Sequence, residues 1–446
     1  MTAATRTLAV LVALAVAGCA GPGEPSTTPA AASESATPVA TPAPASATPT
    51  AAPTRADELE LLVERLEAAH PEPFLGTTRE AFLARVEDLA ARADDLATDA
   101  YLVELMRLFA DRDRDGHSGV IPFAQADELI SAWPVALYEF TEGTYVVAAR
   151  APYEDLVGGR VTRVAGRPLE EVRERVAPLV SHDNAATVAA RLPGYLVVPE
   201  VLRGLGLLAD GAPGLTVETA AGESIDVTPG PIPMSEFRTW RGLFDPLVPP
   251  SLPPDEAGPL TLRNRDERFW LEDVGDTLYV GYHQVQSTSA SNESITPFVE
   301  RIRATLEDGS VERVVLDVRH NPGGENRMAG PLRDALREQA TSDPDSVDVL
   351  IGRSTFSAAG ILIAELRDVD GIRFIGEPSG SSPNLYGDAT IVELPASGLR
   401  VHVATRWWET APGDPALSIE PDAAVPVRWR DYAAGTDAAL DVALSE

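Results

Sequence analysis

The sequence predicts an α/β protein. It has a core of mostly parallel strands in the C-terminal half, an N-terminal helical region, and a smaller α+β part between them. Three observations predict this. Beyond residue 260, short apolar strands alternate with helical segments. Residues 55–113 repeat apolar positions at helical spacing. Residues 131–230 mix strand-like and helical runs around a hairpin signal.

Taken in order, residues 58–69 place Leu59, Leu62, Val63 and Leu66 on one helix face. Thr77 and Glu80 read as a capping box before Phe82, Val86 and Leu89. Residues 101–110 give a third apolar helix. Residues 135–140 and 145–149 flank Thr141-Glu142-Gly143 as a hairpin, and 161–164 run into the turn Ala165-Gly166-Arg167-Pro168. Helical stretches follow at 169–180 and 198–208, and a proline-rich stretch at 229–259 marks a boundary. Strands are then expected at 278–282, 314–318, 347–351 and 373–375, separated by helices at 295–306, 328–339 and 358–366. The expected divisions are 1–18, 19–54, 55–130, 131–230 and 231–446.

The chain has 446 residues and a formal charge of −32, and every basic residue is arginine. Acidity without basic runs argues against nucleic-acid binding. A single cysteine, Cys19, excludes an intrachain disulfide framework and a thiolate zinc cluster. The absence of lysine excludes phosphate-binding Walker loops, Schiff-base chemistry and a serine–lysine dyad. No cofactor and no metal are expected.

The apolar run 8–16 is too short to span a bilayer comfortably. It ends in Val16-Ala17-Gly18-Cys19, which resembles a bacterial lipobox with Cys19 as the lipidation site; a plain secretory signal is the alternative. A lipidated cysteine anchors a protein without a transmembrane helix. Residues 20–54 are Ala, Pro, Thr and Ser with eight prolines and no aromatics, the composition of a tether. The expected location is the extracytoplasmic face of the cell membrane.

Three segments bear on chemistry. In the first, a buried strand at 314–318 runs into Asn321-Pro322-Gly323-Gly324, a turn that lets backbone N–H groups approach a ligand. In the second, Ser357 opens an apolar helix, where free N–H groups and the dipole favour an anion. A plain N-cap is the competing role for that serine. The third is Asp115-Gly116-His117-Ser118. Asp111, Asp113, Asp115 and Gly116 match the start of a calcium loop, but Pro122 stands where a bidentate Glu is needed.

These blocks resemble the tail-specific, or C-terminal processing, serine peptidases, specifically their tricorn-core-like branch. The resemblance rests on 314–324, on Thr355-Phe356-Ser357-Ala358-Ala359, and on Gly376-Glu377-Pro378-Ser379-Gly380. Pro383-Asn384-Leu385-Tyr386-Gly387, Ile419-Glu420-Pro421-Asp422, Asp115–Ser118 and His70-Pro71 extend it. It implies a crotonase-like α/β spiral core and a PDZ-like domain, or a degenerate form of one, near 135–230. It implies Ser357 as nucleophile and the N–H groups of Gly324 and Ala358 as an oxyanion hole. The better-known branch uses a lysine base, but the matching block here reads Gly380-Ser381-Ser382. The tricorn-like branch uses a histidine, which matches His117.

From the residues alone, a serine hydroxyl needs a base with a pKa near the working pH, which leaves His117 and His320 as candidates. Glu409 lies in the region of the branch's orienting acid, and Ser118 is a candidate relay. The expected function is a membrane-anchored serine endopeptidase acting on peptide or protein substrates. The alternatives are a catalytically silent binding lipoprotein of the same fold and a calcium-dependent surface module. Nothing in the residues sets an oligomeric state.

Overall fold

The structure is a computed structural model, and it describes residues 52–110, 112–241 and 258–445. The signal, lipidation-site and tether readings, Asp111, and most of the proline-rich boundary lie outside the described residues. Ala52–Glu446 forms one compact unit.

The core is a six-stranded sheet in the order Ala423–Ala424, Ile372–Gly376, Val347–Ile351, Arg313–Asp317, Thr277–Tyr282, Phe269–Val274. All neighbours pair in parallel except the last two, which form an antiparallel hairpin. Alternation along each strand sends side chains to two covered faces. Leu278, Val280, Val314, Leu316, Val347 and Val349 pack with helices Ile295–Glu307, Gly330–Ser342 and Ala358–Leu366. Tyr279, Val315, Leu350 and Ile375 meet Leu440 and Ala443 of the last helix, Ala438–Ser445. Burial on both faces explains why these strands read as continuous apolar runs.

The first helix, Arg55–Ala69, begins with a capping box formed by Thr54 and Asp57, and it buries Leu59, Leu62 and Leu66 completely. The second, Arg79–Ala90, corrects the sequence reading by one residue. Thr78, not Thr77, is the N-cap, and its hydroxyl accepts from Ala81 N–H at 3.2 Å. Thr77 donates its own N–H to Phe74 O and so closes the preceding turn. The third is Thr98–Leu108.

A second, antiparallel sheet runs Val135–Phe140, Gly143–Ala149, Arg160–Val164, Leu215–Glu218, Ser224–Val227. The expected hairpin is present, and the register Phe140↔Gly143 makes its loop two residues long. The helices read at 169–180 and 198–208 are shorter, Leu169–Val176 and Pro199–Gly204. Two further elements matter for the site: helix Ala185–Tyr195, not read from the sequence, and the hairpin Thr390–Glu393 with Arg400–Val403, whose second strand holds His402. That hairpin buries Val392, Val401 and Val403 in the same cluster as the N-terminal helices. The α/β class, the helical start and the α+β part are as expected.

Candidate active site

The site is assembled where two parallel strands end side by side. After Val347–Ile351 the chain turns through residues 352–356. There Thr355 Oγ1 accepts from Gly352 N–H at 3.0 Å and donates to Val318 O at 2.8 Å. Phe356 N–H donates to Asn321 O at 3.0 Å. These bonds lace the Ser357 turn to the neighbouring glycine turn and leave Ser357 at φ 55°, ψ −124°. A non-glycine residue in such a conformation costs about 1–3 kcal/mol and persists only where its surroundings impose it. Ser357 N–H is held by Ser381 Oγ at 2.7 Å. The Ser357 hydroxyl makes no capping bond to its helix, so the plain N-cap role does not describe it. Instead, Ser357 Oγ lies 2.9 Å from His117 Nε2.

The glycine turn passes directly beneath this hydroxyl. Buried Asn321 fixes the turn, donating from Nδ2 to Tyr282 O at 2.8 Å and accepting Gly323 N–H at 2.9 Å. Gly323 and Gly324 take φ of 103° and 141°. A Cβ on Gly323 would stand 2.6 Å from Ser357 Cβ, and one on Gly324 would stand 2.1 Å from Val285 O. Only glycine fits there. Among the described residues, the N–H groups of Gly324 and Ala358 meet no protein acceptor. The second opens helix Ala358–Leu366, at its positive end.

His117 arrives on the loop 115–119, which is tied down on several sides. Asp115 accepts from Arg112 Nε at 2.9 Å and Ser118 N–H at 3.1 Å and contacts His70 Nε2 at 3.2 Å. Glu72 N–H donates to His70 Nδ1 at 2.9 Å, which leaves the His70 proton on Nε2 to face Asp115. Gly116 N–H donates to buried Asp183 at 2.8 Å. Arg191 Nη1 donates to Gly116 O and Ser181 O. Gly119 and His402 exchange backbone hydrogen bonds at 2.9 Å each. The imidazole stacks on Phe356, centroids 4.7 Å apart, and the Arg191 guanidinium lies 4.5 Å from the centroid of that same ring.

This setting determines the charge of His117. Burial lowers the His117 pKa to about 4, the Arg191 cation adds to the effect, and Asp115 and the Tyr386 backbone oppose it. At neutral pH the ring is uncharged and can accept a proton. Burial also raises Asp183 to about 6, against the N–H groups of Gly116 and Ser382 that favour its anion.

The structure brings Ser357, His117, Gly324 and Ala358 together. It does not bring Glu409 to the imidazole. Glu409 is exposed at the end of strand Arg406–Glu409, and His117 Nδ1 is buried with no hydrogen-bond partner among the described residues. The Ser118 hydroxyl accepts Ala404 N–H at 2.9 Å and makes no hydrogen bond to the His117 ring. His320 lies on a different pocket with Tyr138, Arg353 and Asp437, and burial lowers its pKa to about 3. The acids of the candidate calcium loop serve protein partners: Asp115 as above, and Asp113 with His182 at 3.3 Å.

Arg191, Phe356, Asp183 and Ser381 were not picked out from the sequence. Only Ser381 left a trace there, as the residue in the block where a lysine base would stand.

No family model and no curated protein matches the chain. Solved structures do. A mutant of CPAF is 14% identical, with 85% of this chain and 94% of that one covered at a TM-score of 0.59. Mature CPAF is 15% identical over 87% and 95%, at 0.56. Mature CPAF complexed with lactacystin is 14% identical over 85% and 95%, at 0.55. At these identities the likeness establishes the fold, which this chain shares along nearly its whole described length.

Proposed function

We propose that the chain is a serine endopeptidase that hydrolyses peptide bonds through an acyl-enzyme on Ser357. One observation carries the reading: the 2.9 Å contact between Ser357 Oγ and the Nε2 of a partly buried, uncharged His117. His117 takes the hydroxyl proton as Ser357 attacks the scissile carbonyl, and returns it to the departing amine. A water then attacks the acyl ester by the same route. The N–H groups of Gly324 and Ala358 receive the oxyanion, worth about 3 kcal/mol per donor in comparable sites. The imidazole is positioned by the Phe356 stack and by the backbone bonds that fix the loop 115–119.

The lipobox-like 16–19 and the tether 20–54 support a place on the extracytoplasmic face, anchored through Cys19. Among the described residues no helix is long and apolar enough to cross a membrane. No observation favours the silent binding reading, since serine and imidazole remain paired.

A fluorophosphonate probe tests the chemistry on the full chain. It should label the parent, label His117→Ala at least about a hundredfold more slowly, and leave Ser357→Ala unlabelled. Equal labelling of all three proteins, or none of a folded parent, would end the proposal.

A further inference from the structure

A cavity of about 260 Å³ opens beside the nucleophile, bordered by His117 and by Phe356, the residue before Ser357. Its walls are mainly apolar, among them Phe123, Val135, Leu137 and Phe237. That exceeds the ~150 Å³ cavity known to accept a benzene ring. Two of the polar side chains in these walls carry buried atoms without a hydrogen-bond partner among the described residues. Tyr195 lines the cavity, is 1% exposed, and holds its phenol oxygen without a partner among the described residues. His402 also lines it, and its buried Nε2 likewise has none.

An unmet buried hydrogen-bonding group costs about 1–3 kcal/mol, so a wall carrying two of them selects a ligand that meets them. The charges narrow the choice. Arg191 and Arg238 line the cavity and no carboxylate among the described residues does, which rejects a basic side chain. A carboxylate side chain would surrender its hydration to the apolar walls, and it would approach against the −32 charge of the chain. An aromatic ring with a neutral polar tip satisfies both the walls and the orphaned atoms.

We infer that this cavity is a specificity pocket for tyrosine, taking the side chain of a substrate residue next to the cleaved bond. The phenol would exchange hydrogen bonds with Tyr195 Oη and His402 Nε2. The inference rests on Ser357 being the nucleophile, and the experiment separates the two claims.

Full-chain enzyme is given unstructured peptides identical except for Tyr, Phe, Ala or Glu at one position, and cleavage points are mapped by mass spectrometry. The expected result is cleavage beside Tyr with kcat/KM about three- to tenfold above Phe, the worth of one neutral hydrogen bond. Tyr195→Phe should bring that ratio close to one. Equal rates for Tyr and Phe, or preference for Ala or Glu, would overturn the pocket and leave the peptidase reading standing. Calorimetry on Ser357→Ala gives an arm independent of cleavage. N-acetyl-tyrosine amide should bind more tightly than N-acetyl-phenylalanine amide, and Ser357→Ala/Tyr195→Phe should lose the difference. If the parent cleaves nothing but this difference is found, the pocket survives and the catalytic reading falls. If the difference is missing, the pocket is wrong.

Discussion

His117 is defined less by its neighbours in sequence than by the dryness of its setting. With its pKa near 4, the acid limb of kcat/KM should have its midpoint near pH 4, well below the 6.5 of a free histidine. A pH–rate profile with a midpoint above about 6 would contradict this. The same shift bears on stability. Because the folded value lies below the unfolded one, the contribution of the neutral ring is intact above about pH 6.5 and is lost as pH falls through about 4. Asp183 acts in the opposite sense, since its raised value means stability intact below about 3.8 and lost as pH rises through about 6. Between about pH 4 and 6 the two slopes oppose each other, so denaturant titrations of His117→Gln should show stability falling with rising pH more steeply than in the parent. Gly323 is the second residue with a sharp consequence. At φ 103°, with Ser357 Cβ in the way, Gly323→Ala should lose about 1–3 kcal/mol of stability and at least about tenfold in kcat. Urea unfolding and peptide assays would check it. Ser357, His117 and the two glycines stood out in the sequence because hydroxyl, imidazole and missing side chain are chemically distinctive. The support of His117 did not, since a backbone group and a stacked ring carry no signature in residue type.

Helix Ala185–Tyr195 is the element that most deserves a test, because it carries Arg191 and Tyr195 to the site and escaped the sequence reading. Pro193 and Gly194 near its end break the helical pattern, and its N-cap Asn184 follows a run of polar residues that reads as a connection. The cap does more than close a turn. Asn184 Oδ1 accepts Thr187 N–H at 3.0 Å, while Nδ2 donates to Ser379 O at 3.0 Å and Leu417 O at 2.6 Å. Asn184→Ala should cost about 2 kcal/mol, a cap plus buried carbonyls left unmet. Asn184→Ser, which keeps the cap, should recover part of it in the same denaturation series. The strands of the core were legible because both their faces are buried. The hairpin Thr390–Glu393 with Arg400–Val403 was not, because its strands are four residues long and one of them is largely exposed.

Residues 52–446 behave as one body because the chain folds back on its beginning. Val392, Val401 and Val403 share a core with Leu59, Leu62 and Phe82. Calorimetry should show one unfolding transition, with activity lost over the same range; two well-separated transitions would contradict it. The charge of −32 acts at this scale as well. Glutamate-rich peptides should be cleaved slowly at low salt and gain rate as salt screens the field, whereas neutral peptides should change little. Pattern reading is local, so this closure of the chain on itself lay beyond it: 240 positions separate His117 from Ser357. The loop 115–119 bonds to Asp183 and to strand Arg400–Val403, on either side of Ser357 in sequence. A half-folded chain with only its parallel sheet formed therefore carries a serine with no base beside it. On the proposed mechanism such a chain has no base to activate Ser357 until the segments on both sides of it in sequence have docked.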